Sequence, residues 1–177
     1  MRKPARTRRC SMRKPARTLS HRPRCSTGRS GPFAPHWTAR RWDVGVTPNL
    51  TLHTVLYGPF KELMKTNPAA GNRRGLQLEP GRADRDTLVQ AHQWIEEGAD
   101  SLTLQPVMAA VDVLTRLRDS QNVPLVAYST AGEWPALRAL GTEGMTEYTA
   151  MLKRAGADSI LTFAAEWVAT HLEDTRG

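Results

Sequence analysis

The sequence is poor in several things at once, and each shortage removes a class of protein. It has two cysteines, Cys10 and Cys25, too few and too far apart for a metal knuckle, so two free thiols, or no role at all, are expected. No apolar run approaches the ~18 residues of a membrane span. The basic opening leads into no apolar segment, so a secretory signal is not expected and the cytoplasm is the default location. Neither Gly-x-Gly-x-x-Gly nor P-loop spacing occurs, which removes the common nucleotide-binding signatures. His53, His92 and His171 are scattered, with no Ser-His-Asp or Cys-His set around them, and His92 reads as a surface residue. Beyond residue 44 lysine is scarce as well: Lys61, Lys65 and Lys153 complete the inventory.

The charge is unevenly divided. Residues 1–44 hold 13 Lys/Arg against the single acid Asp43, a balance of +12, whereas residues 45–177 hold 12 against 16, a balance of −4, for a net of +8. The basic character therefore belongs to a tail. That tail is rich in Arg, Pro, Ser and Thr, repeats MRKPART at Met1–Thr7 and Met12–Thr18, and has no strand or helix periodicity. It cannot bury enough apolar area to offset its ordering entropy, so residues 1–44 are expected to be disordered. Clustered arginines attract phosphates, and Phe33, Trp37 and Trp42 could stack on bases. No nucleic-acid-binding fold follows, however, and nucleic acid is not an expected partner.

Residues 45–177 form the expected folded domain. Leu50–Leu56 reads as a strand, followed by a long Pro-, Gly- and Asn-containing loop from Phe60 to Asp84. A helix is expected over Arg85–Gly98, a strand over Ser101–Leu104 and a helix over Ala109–Asp119. Further strands are expected over Pro124–Tyr128 and Ser159–Phe163, and helices over Trp134–Leu140, Thr146–Ala155 and Ala165–Leu172. Four strands alternating with helices argue an α/β fold with a parallel sheet, and doubly wound sheets and (β/α)₈ barrels both fit. Glu97-Gly98-Ala99-Asp100 and Arg154-Ala155-Gly156-Ala157-Asp158 each end a helix and launch a strand. Their glycines permit a left-handed turn, and their aspartates can accept backbone N–H bonds, so these acids read as structural.

Five strings in order carry a resemblance. They are Leu56-Tyr57-Gly58-Pro59-Phe60; Gly71-Asn72-Arg73-Arg74 with Gln77 and Pro80; Glu96-Glu97-Gly98-Ala99-Asp100 with Leu104-Gln105-Pro106; Val126-Ala127-Tyr128 with Ala131-Gly132-Glu133; and Lys153 through Thr162. Over roughly residues 51–170 the chain resembles the carboxy-terminal half of porphobilinogen synthase, also called 5-aminolevulinate dehydratase, a lyase of tetrapyrrole (heme) biosynthesis that condenses two 5-aminolevulinate molecules. The resemblance implies strands five to eight of a TIM (β/α)₈ barrel. The amino-terminal half is not recognisable in this sequence. Nor is the segment where many members hold an active-site metal, often zinc or magnesium, so no metal or other cofactor is expected.

The resemblance also implies where the chemistry should be. The family uses two lysines at the ends of adjacent strands, at least one of which forms a Schiff base, because only an amine makes an imine. Those positions fall on Thr51 and Gln105, and neither residue can do so. A family serine is replaced by Ala131 and a family tyrosine by Phe163, removing two implied carboxylate contacts. Lys61, Arg73 and Tyr128 keep implied substrate-binding positions; Arg73 offers a bidentate fork and Lys61 a point charge. The expectation is a catalytically inactive relative that has 5-aminolevulinate or a similar small carboxylate as its ligand. Alternatives are a regulatory carboxylate binder or an active synthase completed by a partner chain. Four βα units leave two open sheet edges and an apolar inner face, so self-association or a partner half-barrel is expected.

Overall fold

A computed structural model of the chain describes residues 44–58, 64–65 and 74–174, with backbone alone for 172–174. The expected disordered tail, residues 1–44, lies outside the described residues except for Val44. Four strands follow one another in the sheet: β1 (Asn49–Thr51), β2 (Leu102–Gln105), β3 (Leu125–Ser129) and β4 (Ser159–Thr162). Every neighbouring pair is parallel and the spatial order is the chain order. Consecutive parallel neighbours need a crossover each, and the helices supply it. These are α1 (Ala83–Glu96), α2 (Val111–Ser120), the pair α3 (Glu133–Arg138) and α4 (Gly141–Arg154), and α5 (Ala165–Asp174). This is the α/β organisation that the alternating sequence pattern implied.

One face of the sheet packs on the helices, and the other is half-buried, with Thr103 buried at its centre and Leu161 exposed. Leu50, Leu52, Leu102, Leu104, Leu125 and Ala127 point to the helices and meet Ala91, Val113, Leu114, Leu117 and Leu152 in a single core. Several of these leucines are fully buried, and each such side chain contributes about 1.5–3 kcal/mol relative to exposure. The alternate residues, among them Thr51, Gln105, Val126, Tyr128 and Leu161, point to the opposite face.

The two αβ loops behave as their residues dictate. Gly98 and Gly156 take φ of 104° and 109°, a region that costs a side-chain-bearing residue strain. Asp100 Oδ2 accepts the Val46 amide at 2.8 Å, and Asp158 Oδ2 accepts the Leu125 amide at 2.8 Å. Arg118 ties the second loop down by donating to Gly156 O at 3.0–3.1 Å and to the Asp158 carboxylate.

Three expected elements need correction. The strand expected over Leu50–Leu56 stops at Thr51, with one isolated parallel bridge between Leu52 and Leu78. Its ladder partner ends at Gln105, where the chain passes through Pro106 into a 3-10 turn over Val107–Ala109. Thr54 Oγ1 then accepts the Leu56 amide at 3.1 Å and the chain turns, leaving Val55 91% exposed. The fourth helix begins at Gly141, five residues before the expected Thr146, with two glycines inside its first turn and a half. Gly141 at the helix start takes φ of 72°, which suits glycine, and burial of Met145, Thr149 and Leu152 along one face offsets the ~1 kcal/mol that the interior Gly144 costs. The first helix begins at Ala83, two residues early, fed by a 3-10 turn over Pro80–Arg82.

Candidate active site

In a parallel sheet of βα units, the residues at the carboxyl ends of the strands and the loops that follow them converge on one face. At the end of β1 stands Thr51, and opposite it in register stands Gln105 at the end of β2. The Gln105 amide donates to Thr51 Oγ1 at 2.8 Å. Two residues 54 apart in sequence therefore form one half-buried, uncharged pair. A hydroxyl and a carboxamide can hydrogen-bond a carbonyl, but neither is a nucleophile of the kind that makes an imine.

Next along the sheet, the Tyr128 ring stacks on Phe163 beyond β4, with centroids 6.5 Å apart and planes 29° from parallel. The face thus changes from polar at β1 and β2 to aromatic at β3 and β4. Ala131, where a hydroxyl was expected to be lost, is half-buried in the loop after β3. Lys61 and Arg73, the expected carboxylate-binding cations, lie outside the described residues.

The loops on this face are joined by contacts that sequence reading did not find. Gly132 donates its amide to Leu56 O at 2.9 Å, and Thr130 Oγ1 donates to the same carbonyl at 2.9 Å. A Cβ at position 132 would sit 2.2 Å from Leu56 O, so only glycine allows this approach. Below them Glu133 is fully buried. Its Oε1 accepts the Met108 amide at 3.4 Å and Thr130 Oγ1 at 3.3 Å, and its Oε2 accepts the Tyr148 hydroxyl at 2.8 Å. One carboxyl therefore ties the loop after β2, the loop after β3 and helix α4 together, and through Thr130 the loop after β1. Burial, and after it Glu133, raises the Tyr148 pKa far above the ordinary phenol value. Burial also raises Tyr57, whose hydroxyl donates to Leu52 O at 3.1 Å, with Tyr128 and Glu133 adding to the effect. Both phenols are held as proton donors.

The remaining candidates are placed elsewhere. Lys65 is exposed. Lys153 reaches Asp158 O at 3.3 Å, at the amino end of β4 and across the sheet from Gln105. His53 pairs with Gln77 through Nδ1 and Oε1 at 3.0 Å. His92 lies on the exposed side of α1 beside Glu96, as its surface reading had it. His171 stacks on Trp167. Among the described residues no three of His, Cys, Asp and Glu come close enough to hold a metal ion. No helix among them is long and apolar enough to cross a membrane.

Comparison with known proteins places this geometry. The family model of delta-aminolevulinic acid dehydratase matches residues 52–171. The chloroplastic delta-aminolevulinic acid dehydratase of the moss Physcomitrium patens is 36% identical over 126 residues, which is 65% of this chain and 29% of the moss protein. The enzyme of Synechococcus elongatus is 33% identical over 127 residues, 66% of this chain and 39% of the relative. A crystal structure of the Toxoplasma gondii enzyme, also called porphobilinogen synthase and solved with its reaction product porphobilinogen, superposes with a TM-score of 0.64 at 28% identity. That superposition covers 75% of this chain and 40% of the Toxoplasma chain. The chain thus spans less than half the length of the relatives it matches. With two thirds of its residues inside the family model, the chain belongs to the delta-aminolevulinic acid dehydratase family.

Proposed function

We propose that this chain is a delta-aminolevulinic acid dehydratase-type scaffold that binds a small keto-carboxylate such as 5-aminolevulinate without forming a covalent imine. The observation that carries the reading is the Gln105–Thr51 hydrogen bond of 2.8 Å. It fills, with two uncharged side chains, the strand ends where the family resemblance puts its paired lysines. Loss of an activated nucleophile lowers rates by several orders of magnitude even where binding survives. In this reading Gln105 and Thr51 hydrogen-bond the ligand's ketone, the Tyr128–Phe163 stack forms an apolar wall, and Lys61 and Arg73 meet the carboxylate. Ala131 and Phe163 lower affinity, because each lacks the hydroxyl implied for its position. The sheet face is completed by a partner, either a second copy or another half-barrel.

Borohydride reduction in the presence of 5-aminolevulinate, followed by mass spectrometry, tests the absence of an imine; an adduct on any lysine overturns it. Calorimetric titration with 5-aminolevulinate tests the binding half of the proposal. Saturable heat that falls on Arg73→Ala supports it, and no heat ends it. Rescue of a strain lacking the enzyme would instead favour a synthase completed in trans.

A further inference from the structure

The half-buried sheet face and its edges define a partner more closely than the functional proposal does. The four strands all run the same way, and their order makes β1 and β4 the two outer strands. A twofold axis perpendicular to the strands reverses strand direction. A twofold axis along them preserves it and sets β4 of each copy beside β1 of the other, at two equivalent seams. Four strands doubled in this way give eight, the number at which a parallel barrel closes with an interior that side chains can fill.

The edges fit such a seam. On β1, Thr51 O is occupied by the Leu78 amide at 2.8 Å, and Leu78 O accepts the His53 amide at 2.9 Å. That short strap covers only the carboxyl end, so a seam must use the Asn49 end. Residues two apart in a strand share an edge, which puts the backbone of Asn49 on the same outer side as Thr51. At the other edge, Leu161 and Phe163 are each 51% exposed, a large apolar exposure for a strand border. Residues 1–43 carry no strand-like pattern.

We infer that two copies of this chain close into one eight-stranded barrel about a twofold axis parallel to the strands, β4 of each pairing with β1 of the other. This deepens the association named above and does not depend on ligand binding. The mouth of the closed barrel carries two Thr51–Gln105 pairs, one from each copy, facing each other across the lumen.

Each seam joins unlike strands, β4 of one copy and β1 of the other, and that gives a direct test. In a background with Cys10→Ser and Cys25→Ser, Asn49→Cys and Ser159→Cys are made in separate chains. Light scattering behind size exclusion is expected to report twice 19.7 kDa. A short bismaleimide is expected to link mixed Asn49→Cys and Ser159→Cys chains, and neither variant with itself. A monomer, or self-linking by Ser159→Cys alone, overturns the inference. So does a dimer in which the mixture fails to link. Calorimetry with 5-aminolevulinate on the same samples reports separately on the ligand proposal.

Discussion

Replacing Thr51 and Gln105 together by lysine creates two amines on neighbouring parallel strands whose backbones lie about 4.8 Å apart, so that the amines can approach to ~5 Å. At ~5 Å two unit charges repel by about 3.3 kcal/mol at an effective dielectric of 20, and by about 0.8 kcal/mol in bulk water. At ~1.36 kcal/mol per unit, one amine of the pair should titrate roughly 0.6–2.4 units below the ~10.4 of an ordinary lysine. The half-exposed position of both residues sets this range, and closure of a barrel over them moves it to the larger end. Each single variant carries the same desolvation without the second charge, so the difference between double and single variants isolates the repulsion. Losing the Gln105–Thr51 hydrogen bond costs only about 0.5–1.5 kcal/mol, so the variants should fold. The readout is the pH dependence of acylation at each lysine, resolved by peptide mass spectrometry. Equal midpoints in the double and single variants would refute the claim that these positions form a working amine pair once lysine is restored.

Other consequences follow from the buried groups. Glu133→Ala leaves the Met108 amide and the Tyr148 hydroxyl without an acceptor, and should cost about 2–6 kcal/mol in urea unfolding. Glu133→Gln keeps one acceptor and should cost clearly less. Thr87 is fully buried on α1, and its hydroxyl has no partner among the described residues. Thr87→Val should therefore raise stability by about 1 kcal/mol, read in the same assay. The raised pKa values of Tyr57 and Tyr148 mean that the folded state keeps protons which the unfolded chain releases near pH ~10. Their contribution is fully present below that pH and declines as pH rises further, so melting temperature should fall in alkali. Tyr148→Phe should flatten that fall.

Much of the fold was legible because it is local. Leu-, Val- and Ile-containing runs bounded by Pro, Gly and Asp marked β2, β3 and β4 to within a residue or two. The Gly98–Asp100 and Gly156–Asp158 loops could be read because both the turn and its capping acceptor lie within three residues. The early end of β1 could not, since it depends on where β2 ends, 54 residues further on. Glu133 was invisible for the same reason: its partners are Met108, 25 residues away, and Tyr148, 15 residues away. Nothing in Gly132-Glu133-Trp134 distinguishes a buried carboxyl from an exposed one. Thr51 and Gln105 stood out only through the family resemblance; their direct hydrogen bond needed the β1–β2 register. The helix starting at Gly141 extends back past the expected Thr146 because tertiary packing buries Met145 on the same face as Thr149 and Leu152.

In the proposed function the chain keeps the scaffold of its family and forms no imine. Borohydride reduction of the native 177-residue protein with 5-aminolevulinate, read by intact mass, tests it most directly. The native chain is expected to keep an unchanged mass, while Thr51→Lys/Gln105→Lys gains an adduct at position 51 or 105. A reduced adduct on the native chain, at Lys61, Lys65 or any other lysine, would contradict it.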